Sequence, residues 1–431
     1  MCLAVLGCGY TGLSTAALFA DAGFHVIAVD INSKIVEKVN MGFPPINEPN
    51  LHELLSRNVQ LGRLRATLNS LEALSQSNAV IISVQTPINQ KKKPNLSFLT
   101  KALGDVGKTL RKGMLVVISS TLPPKTMLEN VKPKLESLSN LKVDDDFYLV
   151  YAPERMAPGR AIKEFVESPK IVGGVGPNST KVAAQLFKTV CKKVIETDAT
   201  TAEIAKLAEN TFRDLNIAFA NQLALICEQL GVDVIKVIKL ANTHPRVNIH
   251  LPGPGVGGPC LPKDPYLLVH QLKPETYSLV KKARQINDFM PKYIVKLTIR
   301  ALKLASKDIK NSKIAILGTA YKANVDDGRF SPSKSIISEL RRFTTKMLVF
   351  DPYCKESFGV KKADSLSNAV KDADCILIVT DHKEFKNLNL KKIKKLMKKN
   401  PAIVDGRRII NPYKATKLGF IYFGVGLGEL K

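Results

Sequence analysis

Cysteine is sparse in this sequence and never paired. Its seven copies in 431 residues are scattered without a CxxC or any spacing that would build a disulfide framework, and the count is odd. That pattern excludes a disulfide-stapled scaffold and points to reduced thiols. No metal site is expected. No apolar run reaches the ~20 residues of a membrane span, so membrane insertion is not expected. The first residues, MCLAVLGCGYTG, lack a basic stretch and run straight into a glycine turn, unlike a signal peptide; the expected location is the cytoplasm. Acidic residues are also short, 38 against 64 Lys and Arg, which leaves a formal net charge of +26. Such a balance can serve nucleic acid or an anionic surface. Here the lysines spread along the chain in short runs, KKK at 91–93 and KKIKKLMKK at 391–399. There is no zinc finger, RNP-like motif or basic tail. The expectation is a solvated basic surface that attracts anionic metabolites, with no nucleic-acid partner.

What is present is two sets of short Val/Ile/Leu runs, each ending in a polar or Gly/Pro loop. The first set lies at 1–7, 25–30, 79–87, 114–124 and 147–154, the second at 312–318, 346–351, 375–380 and 402–406. Helical stretches such as 11–23 and 97–111 fill the gaps. Continuous apolar strands alternating with helices predict a parallel sheet covered on both faces. Between the sets, 201–231 has no proline and apolar residues spaced by three and four, with Gly231 as its C-cap, and 274–305 is a second helical stretch. The predicted architecture is α/β, two doubly wound Rossmann-like domains joined by an all-helical central domain with one long helix. SNAVIISVQTP and DADCILIVTDH suggest a weak internal duplication.

The first run ends in GCGYTG, a GxGxxG match at Gly7, Gly9 and Gly12, followed by Asp30 at the end of the second run. Gly7 allows the tight turn, Gly9 lets the backbone approach a pyrophosphate, and Gly12 lets helix pack on strand. The helix N-terminus meets the phosphates and the acid meets the ribose hydroxyls. A carboxylate there would repel a 2′-phosphate, so the expected cofactor is NAD. The second set begins ILGTAYK, with one glycine where that fingerprint needs three, and should not bind a dinucleotide in that way.

PGPGVGGPCLPKDP, at 252–265, holds a single thiol, Cys260, with Lys263 and Asp264 just downstream. Pro and Gly fix the loop and let backbone come close to a ligand, and a nearby ammonium favours the nucleophilic thiolate. Cys2, Cys191, Cys227 and Cys375 sit instead in apolar runs and read as small core residues. Glu203, Lys206 and Asn210 share one helical face. That face is either a solvated stripe or one that turns Lys206 and Asn210 toward the thiol to stabilise an oxyanion.

Seven ordered motifs carry a family resemblance: GCGYTG, VQTP (84–87), SSTLPP (119–124), APER (152–155), EIAKLAENTFR (203–213), GPGVGGPCLPKDP (253–265) and GTAYKANVDDGRFSPS (318–333). Over nearly its whole length the chain resembles the nucleotide-sugar 6-dehydrogenases of the UDP-glucose/GDP-mannose dehydrogenase family. The resemblance implies a four-electron, NAD-dependent oxidation of a sugar C6 alcohol to a carboxylate, through a thiohemiacetal and a thioester on Cys260. It implies that Lys206 and Asn210 stabilise the oxyanion, that Asp264 and Thr121 position or activate water, and that Glu154 acts in the thioester stage. Gly7, Gly9, Tyr10, Thr11, Gly12, Asp30, Thr86, Thr121, Lys263 and Arg329 would contact the cofactor. Glu154, Arg155, Lys206, Asn210, Arg246, Gly257 and Lys322 would contact the substrate. The matching domains would be 1–200 for NAD, 201–305 for dimerisation and the cysteine loop, and 306–431 for the UDP-sugar. Arg246 matches a position that reaches a neighbouring subunit's sugar site, so a homodimer through the long helices is expected.

APERMAPGRA and HPRVNIHLPGPGVGG look like the N-acetylhexosamine branch, the second like its N-acetylmannosamine members. Pro259 and Lys263 depart toward the UDP-glucose pattern. The expected order of substrates is UDP-N-acetyl-D-mannosamine, UDP-N-acetyl-D-glucosamine, then UDP-glucose. An epimerase or two-electron dehydrogenase on the same glycine turn, and a non-enzymatic polyanion-binding protein, are the alternatives.

Overall fold

Strands that are apolar at every position need cover on both faces, and this chain builds two sheets of that kind. The computed structural model describes residues 1–428. They fall into two compact units: Met1–Glu209 with Tyr266–Gln271, and Asn210–Pro265 with the chain from Leu272 onward.

The first unit holds eight strands: β1 (Cys2–Leu6), β2 (His25–Val29), β3 (Leu64–Thr67), β4 (Ala79–Ile82), β5 (Leu115–Ile118), β6 (Tyr148–Tyr151), β7 (Lys170–Gly174) and β8 (Val194–Asp198). Their order is β3-β2-β1-β4-β5-β6-β7-β8. Leu3, Val5, Ala79 and Ile81 face one core, and Ala4, Leu6, Val80 and Ile82 face the other. That alternation explains why the strands read as continuous apolar runs. Helices Tyr10–Asp21 and Ser97–Thr109 cover opposite faces, Leu13 and Phe19 in one core, Leu99 and Leu103 in the other. The order reverses between β1 and β4, and in sheets of this kind ligands bind outside the strands' carboxyl ends at such a switch point.

The sheet is not purely parallel, as the sequence predicts; β7 runs antiparallel to β6. Strands β3, β7 and β8 also escape the sequence reading. LRAT and VIETD carry exposed positions and KIVGG ends in glycines, so none shows the fully apolar pattern. The glycines have a packing reason: a Cβ at Gly173 would stand 2.6 Å from the Ala202 Cβ.

Directly after β8, one helix runs from Ala199 to Gln229, 31 residues. It ends as predicted at Gly231. This residue has φ 71°, its N–H donates to the Glu228 carbonyl (3.2 Å), and the Val232 N–H reaches back to Cys227 (2.9 Å). This is a Schellman termination, in which glycine takes the left-handed conformation without strain.

The second unit carries β9 (Ile314–Leu317), β10 (Met347–Phe350), β11 (Lys361–Lys362), β12 (Cys375–Ile378), β13 (Ala402–Asp405) and β14 (Ile421–Gly424). Their order is β11-β10-β9-β12-β13-β14, all parallel. The order repeats that of β3-β2-β1-β4-β5-β6, so the duplication suggested by the sequence exists in topology. Helix Ser278–Leu304 covers one face through Met290, Ile294, Leu297 and Ala301. Among the described residues, no helix is long and apolar enough to cross a membrane.

Candidate active site

In the first unit the turn after β1 is shaped by what its glycines allow. Gly7 has φ 98°, and a Cβ there would lie 2.6 Å from the Ser83 carbonyl oxygen. A Cβ on Gly12 would stand 1.9 Å from the Gly7 oxygen, whereas one on Gly9 would meet no protein atom within 4 Å. Gly9 is therefore not explained by packing within the chain. It caps the helix that begins at Tyr10, without a side-chain capping bond, so the uncapped helix end and its positive dipole suit a phosphate. Thr11 lies in the first turn, its carbonyl accepting the Thr15 hydroxyl (2.9 Å). The Tyr10 hydroxyl accepts the Gly159 N–H (2.8 Å), which Glu48 shares (2.8 Å). Asp30 is half-buried. Its Oδ2 accepts the Cys8 N–H and its Oδ1 the Asn32 N–H, each at 2.9 Å.

Thr86 and Thr121 come together beyond β4 and β5: the buried Thr86 hydroxyl donates to the Thr121 carbonyl (2.7 Å). The loop that carries Thr121 is anchored by Glu203, whose carboxylate accepts the N–H groups of Lys125 (2.6 Å) and Met127 (2.8 Å). Glu203 is fully buried and Lys206 nearly so, so this helical face is not a solvated stripe. Burial pushes the Glu203 carboxyl up to about 7 against the pull of those two N–H groups.

Glu154 follows β6 and is hydrogen-bonded and ion-paired to Lys170. Burial raises its carboxyl above the ordinary range, while the charges of Lys170 and Lys206 pull it back. Arg155 pairs with Glu209 (2.7 Å) and donates to the Pro169 carbonyl (2.8 Å).

In the second unit the cysteine loop is fixed from several sides. The Gly253 N–H donates to Asn221 of the long helix (2.9 Å) and the Gly258 N–H to the Arg329 carbonyl (3.0 Å). Gly257 and Gly258 lie against the Tyr321–Pro332 segment. A Cβ on Gly257 would meet the Phe330 oxygen at 2.7 Å, and one on Gly258, at φ 91°, the Tyr321 ring at 2.6 Å. Cys260 is half-buried and outside any disulfide, whereas Cys191, Cys227 and Cys375 are buried, as core residues should be; Cys2, read from the sequence as a core residue, is only partly buried, packed at the edge of one core at the start of β1. The Cys260 carbonyl accepts the N–H groups of Lys263 (3.0 Å) and Asp264 (2.9 Å). Asp264 is fully buried. Its two oxygens take Lys263 Nζ and Asn210 Nδ2, each at 2.6 Å. Cys260, Lys263, Asp264 and Asn210 thus form one constellation. Arg329 forks onto Asp327 (2.6–3.0 Å). Lys322 and Arg246 are exposed, the Arg246 N–H resting on His244 (3.3 Å).

Lys170, Glu48 and Tyr321 touch the predicted site residues or their loops and carry no signal in the sequence reading. A lysine opening a β-strand and a tyrosine after a lone glycine turn carry no local signal, since their partners stand far away in the chain.

Family models match the chain in three consecutive pieces: the UDP-glucose/GDP-mannose dehydrogenase family NAD binding domain over residues 1–191, its central domain over 200–289 and its UDP binding domain over 315–412. The chain belongs to the UDP-glucose/GDP-mannose dehydrogenase family. It is 44% identical over 431 residues to the UDP-N-acetyl-D-mannosamine dehydrogenase of Pyrococcus horikoshii, covering 100% of both. A solved UDP-D-ManNAc dehydrogenase from Pyrococcus horikoshii superposes with a TM-score of 0.94 at 44% identity over 100% of both chains. The NDP-N-acetyl-D-galactosaminuronic acid dehydrogenase of Methanosarcina mazei gives 0.87 at 37%, covering 99% of this chain and 95% of its own. In this dehydrogenase family the β1 turn thus belongs to the NAD-binding domain. The open approach at Gly9, the uncapped helix end and the half-exposed Asp30 fit that cofactor.

Proposed function

We propose that the chain oxidises the C6 alcohol of a UDP-N-acetylhexosamine, UDP-N-acetyl-D-mannosamine first among them, to the uronic acid. The observation that carries this reading is the constellation around Cys260, a thiol on a turn fixed by glycine and proline beside a buried carboxylate held by an ammonium and an amide. Bound NAD supplies the hydride acceptor, two per sugar, so that one alcohol, two NAD+ and one water yield one carboxylate, two NADH and three protons. Cys260 Sγ adds to the C6 aldehyde carbon, and the thiol proton goes to the aldehyde oxygen. The resulting thiohemiacetal keeps that carbon in place, which removes the entropy cost of recapture. Loss of a second hydride leaves a thioester. Water then adds to its carbonyl carbon, the C–S bond breaks and the thiol is restored.

Lys206 and Asn210 stabilise negative charge on the C6 oxygen. Asp264 and Thr121 orient the water, and the Glu154 carboxylate takes its proton. Gly7, Gly9, Tyr10, Thr11, Gly12, Asp30, Thr86, Lys263 and Arg329 hold the cofactor, and Arg155, Arg246, Gly257 and Lys322 the substrate. The sugar assignment draws on the full-length likeness to relatives of that name. The long helix exposes Phe212, Phe219 and Ile226 seven residues apart, at 64, 54 and 43%, which supports a homodimer through it; sedimentation as a monomer would remove that part. The reduced cysteines support a cytoplasmic location.

The test is a panel of UDP- and GDP-sugars scored by NADH yield. Two NADH per sugar are expected, with UDP-N-acetyl-D-mannosamine preferred, and near-complete loss of acid formation in Cys260→Ala. A yield of one, or full activity in Cys260→Ala, would overturn the covalent route.

A further inference from the structure

Lys170 is the first residue of β7, and its side chain is only 5% exposed. A buried ammonium is costly unless its environment holds the charge. Here two aromatic rings, a carbonyl and a carboxylate surround it. Nζ lies 4.9 Å from the centroids of both the Phe165 and the Phe187 rings. It donates to the Pro153 carbonyl at 3.2 Å and to Glu154 Oε1. Two ring faces and a carbonyl therefore point the ammonium at one carboxylate oxygen. Both bonded acceptors belong to Pro153 and Glu154, the segment that delivers Glu154 to the site.

We propose that Lys170 is a positioning residue for the thioester stage: it holds the Glu154 carboxyl group in one orientation and favours its carboxylate form against burial, so that the carboxylate can accept the proton of the hydrolytic water. This rests on the role given to Glu154 above. Among the described residues, the charged and titratable groups facing Glu154 are few. They are Lys170 on β7, Lys206 on the long helix and Cys191, with Arg155 paired to Glu209 and Glu164 bonded to the Ala157 N–H nearby. Burial pushes the Cys191 thiol up to about 11, so it stays neutral. The two lysines are the cations that oppose the effect of burial on Glu154. Of these, Lys170 is the one hydrogen-bonded to it.

The test compares Lys170→Met, Lys170→Arg, Glu154→Gln and the Glu154→Gln/Lys170→Met double variant. Turnover is followed against pH, and intact mass reports acyl sugar on Cys260. Without Lys170 the carboxylate needs a higher pH to form. Lys170→Met should therefore move the acid limb of turnover up by about one pH unit or more. It should also slow turnover by roughly 10- to 100-fold and let the thioester accumulate. Lys170→Arg should restore the acid limb. With Glu154 already Gln, adding Lys170→Met should slow turnover no further. The double variant keeps the test open should the single one not fold, because it leaves no unpaired charge. An unmoved acid limb in Lys170→Met, or a further loss in the double variant, would overturn the role of Lys170. Wild-type turnover in Glu154→Gln would instead remove Glu154 from the chemistry, and so distinguishes failure of the mechanism from failure of this inference.

Discussion

The turns that follow β1 and β9 occupy the same place in two sheets of the same order, yet only one is open to a ligand. After β1, three glycines clear the way and the helix starts at once, at Tyr10. Asp30 holds one backbone N–H of the turn and stays half-exposed. After β9 only Gly318 is present, and the next helix begins at Pro332. Asp351, the counterpart of Asp30 at the end of its strand, is buried and saturated. It accepts N–H groups from Thr319 (2.6 Å), Ala320 (2.9 Å), Tyr353 (2.9 Å) and Cys354 (2.7 Å), and His382 Nε2 lies at 3.0 Å. Asn324 donates to His382 Nδ1 (2.9 Å), so the ring must carry its proton on Nε2 and donate to Asp351. The acid proposed to meet a ribose in one turn is consumed in the other by locking the loop that bears Tyr321 and Lys322. A shared topology therefore does not transmit a shared site; the side chains at the strand ends decide.

The largest expected effect comes from breaking the locked turn. Asp351→Ala strands five donors in a buried place and should cost about 3–5 kcal/mol. Asp30→Ala frees only two N–H groups, one of them exposed, and should cost about 1 kcal/mol, with its loss appearing in NAD affinity. Denaturant melts of the two variants check this, and similar costs would mean that the turns are alike after all.

A second contrast is between two buried carboxylates. Glu203 has two backbone N–H donors and the acidic neighbours Glu129 and Asp198, and burial leaves it pushed up to about 7. The backbone N–H groups and His382 around Asp351 outweigh burial, so its carboxyl lies well below the ordinary 3.8. Their pH dependences are therefore opposite. The folded state holds the Glu203 proton more tightly, so its contribution is full below the ordinary value near 4.5 and is lost as pH rises toward about 7. The span corresponds to on the order of 3 kcal/mol. The Asp351 contribution is full above 3.8 and is lost only as pH falls into strong acid. Glu203→Gln should flatten the stability profile between those two Glu203 values while leaving the acid limb set by Asp351. Melting temperature against pH for both proteins measures it, and an unchanged slope would refute the Glu203 assignment.

Much of this was legible in the sequence, for reasons particular residues make plain. Strands β1, β4, β5, β9 and β12 are apolar on both faces and could be read directly. Strands β3, β7 and β8 mix exposed, charged or glycine positions and could not. The glycine turn was legible because GxGxxG is a local requirement of backbone shape, and Cys260 because proline and glycine crowd around it. The partners were not. Glu203 reaches back 76–78 residues to Lys125 and Met127, Lys170 reaches Glu154 across the antiparallel β6–β7 pair, and Asp264 meets Asn210 from 54 residues away. Spacing along a chain reports one helix face or one strand, and each of these bonds joins two different elements.

The smallest expected effect on stability is at Gly9, and it bears most directly on the comparison. At φ −70° its backbone suits any residue, and an added Cβ meets nothing within 4 Å. Alanine there should change stability by no more than about 0.5 kcal/mol, since no contact or strain is introduced. At Gly318 the backbone sits at φ 97° and a Cβ would fall 2.4 Å from that of Thr380. Gly318→Ala should therefore cost roughly 1–3 kcal/mol. If Gly9 is kept small for a phosphate, Gly9→Ala must weaken NAD binding about tenfold or more while the melting curve stays put. Titration of NAD against both proteins decides this. An alanine that binds NAD as the wild type does would leave Gly9 without a reason in either packing or function.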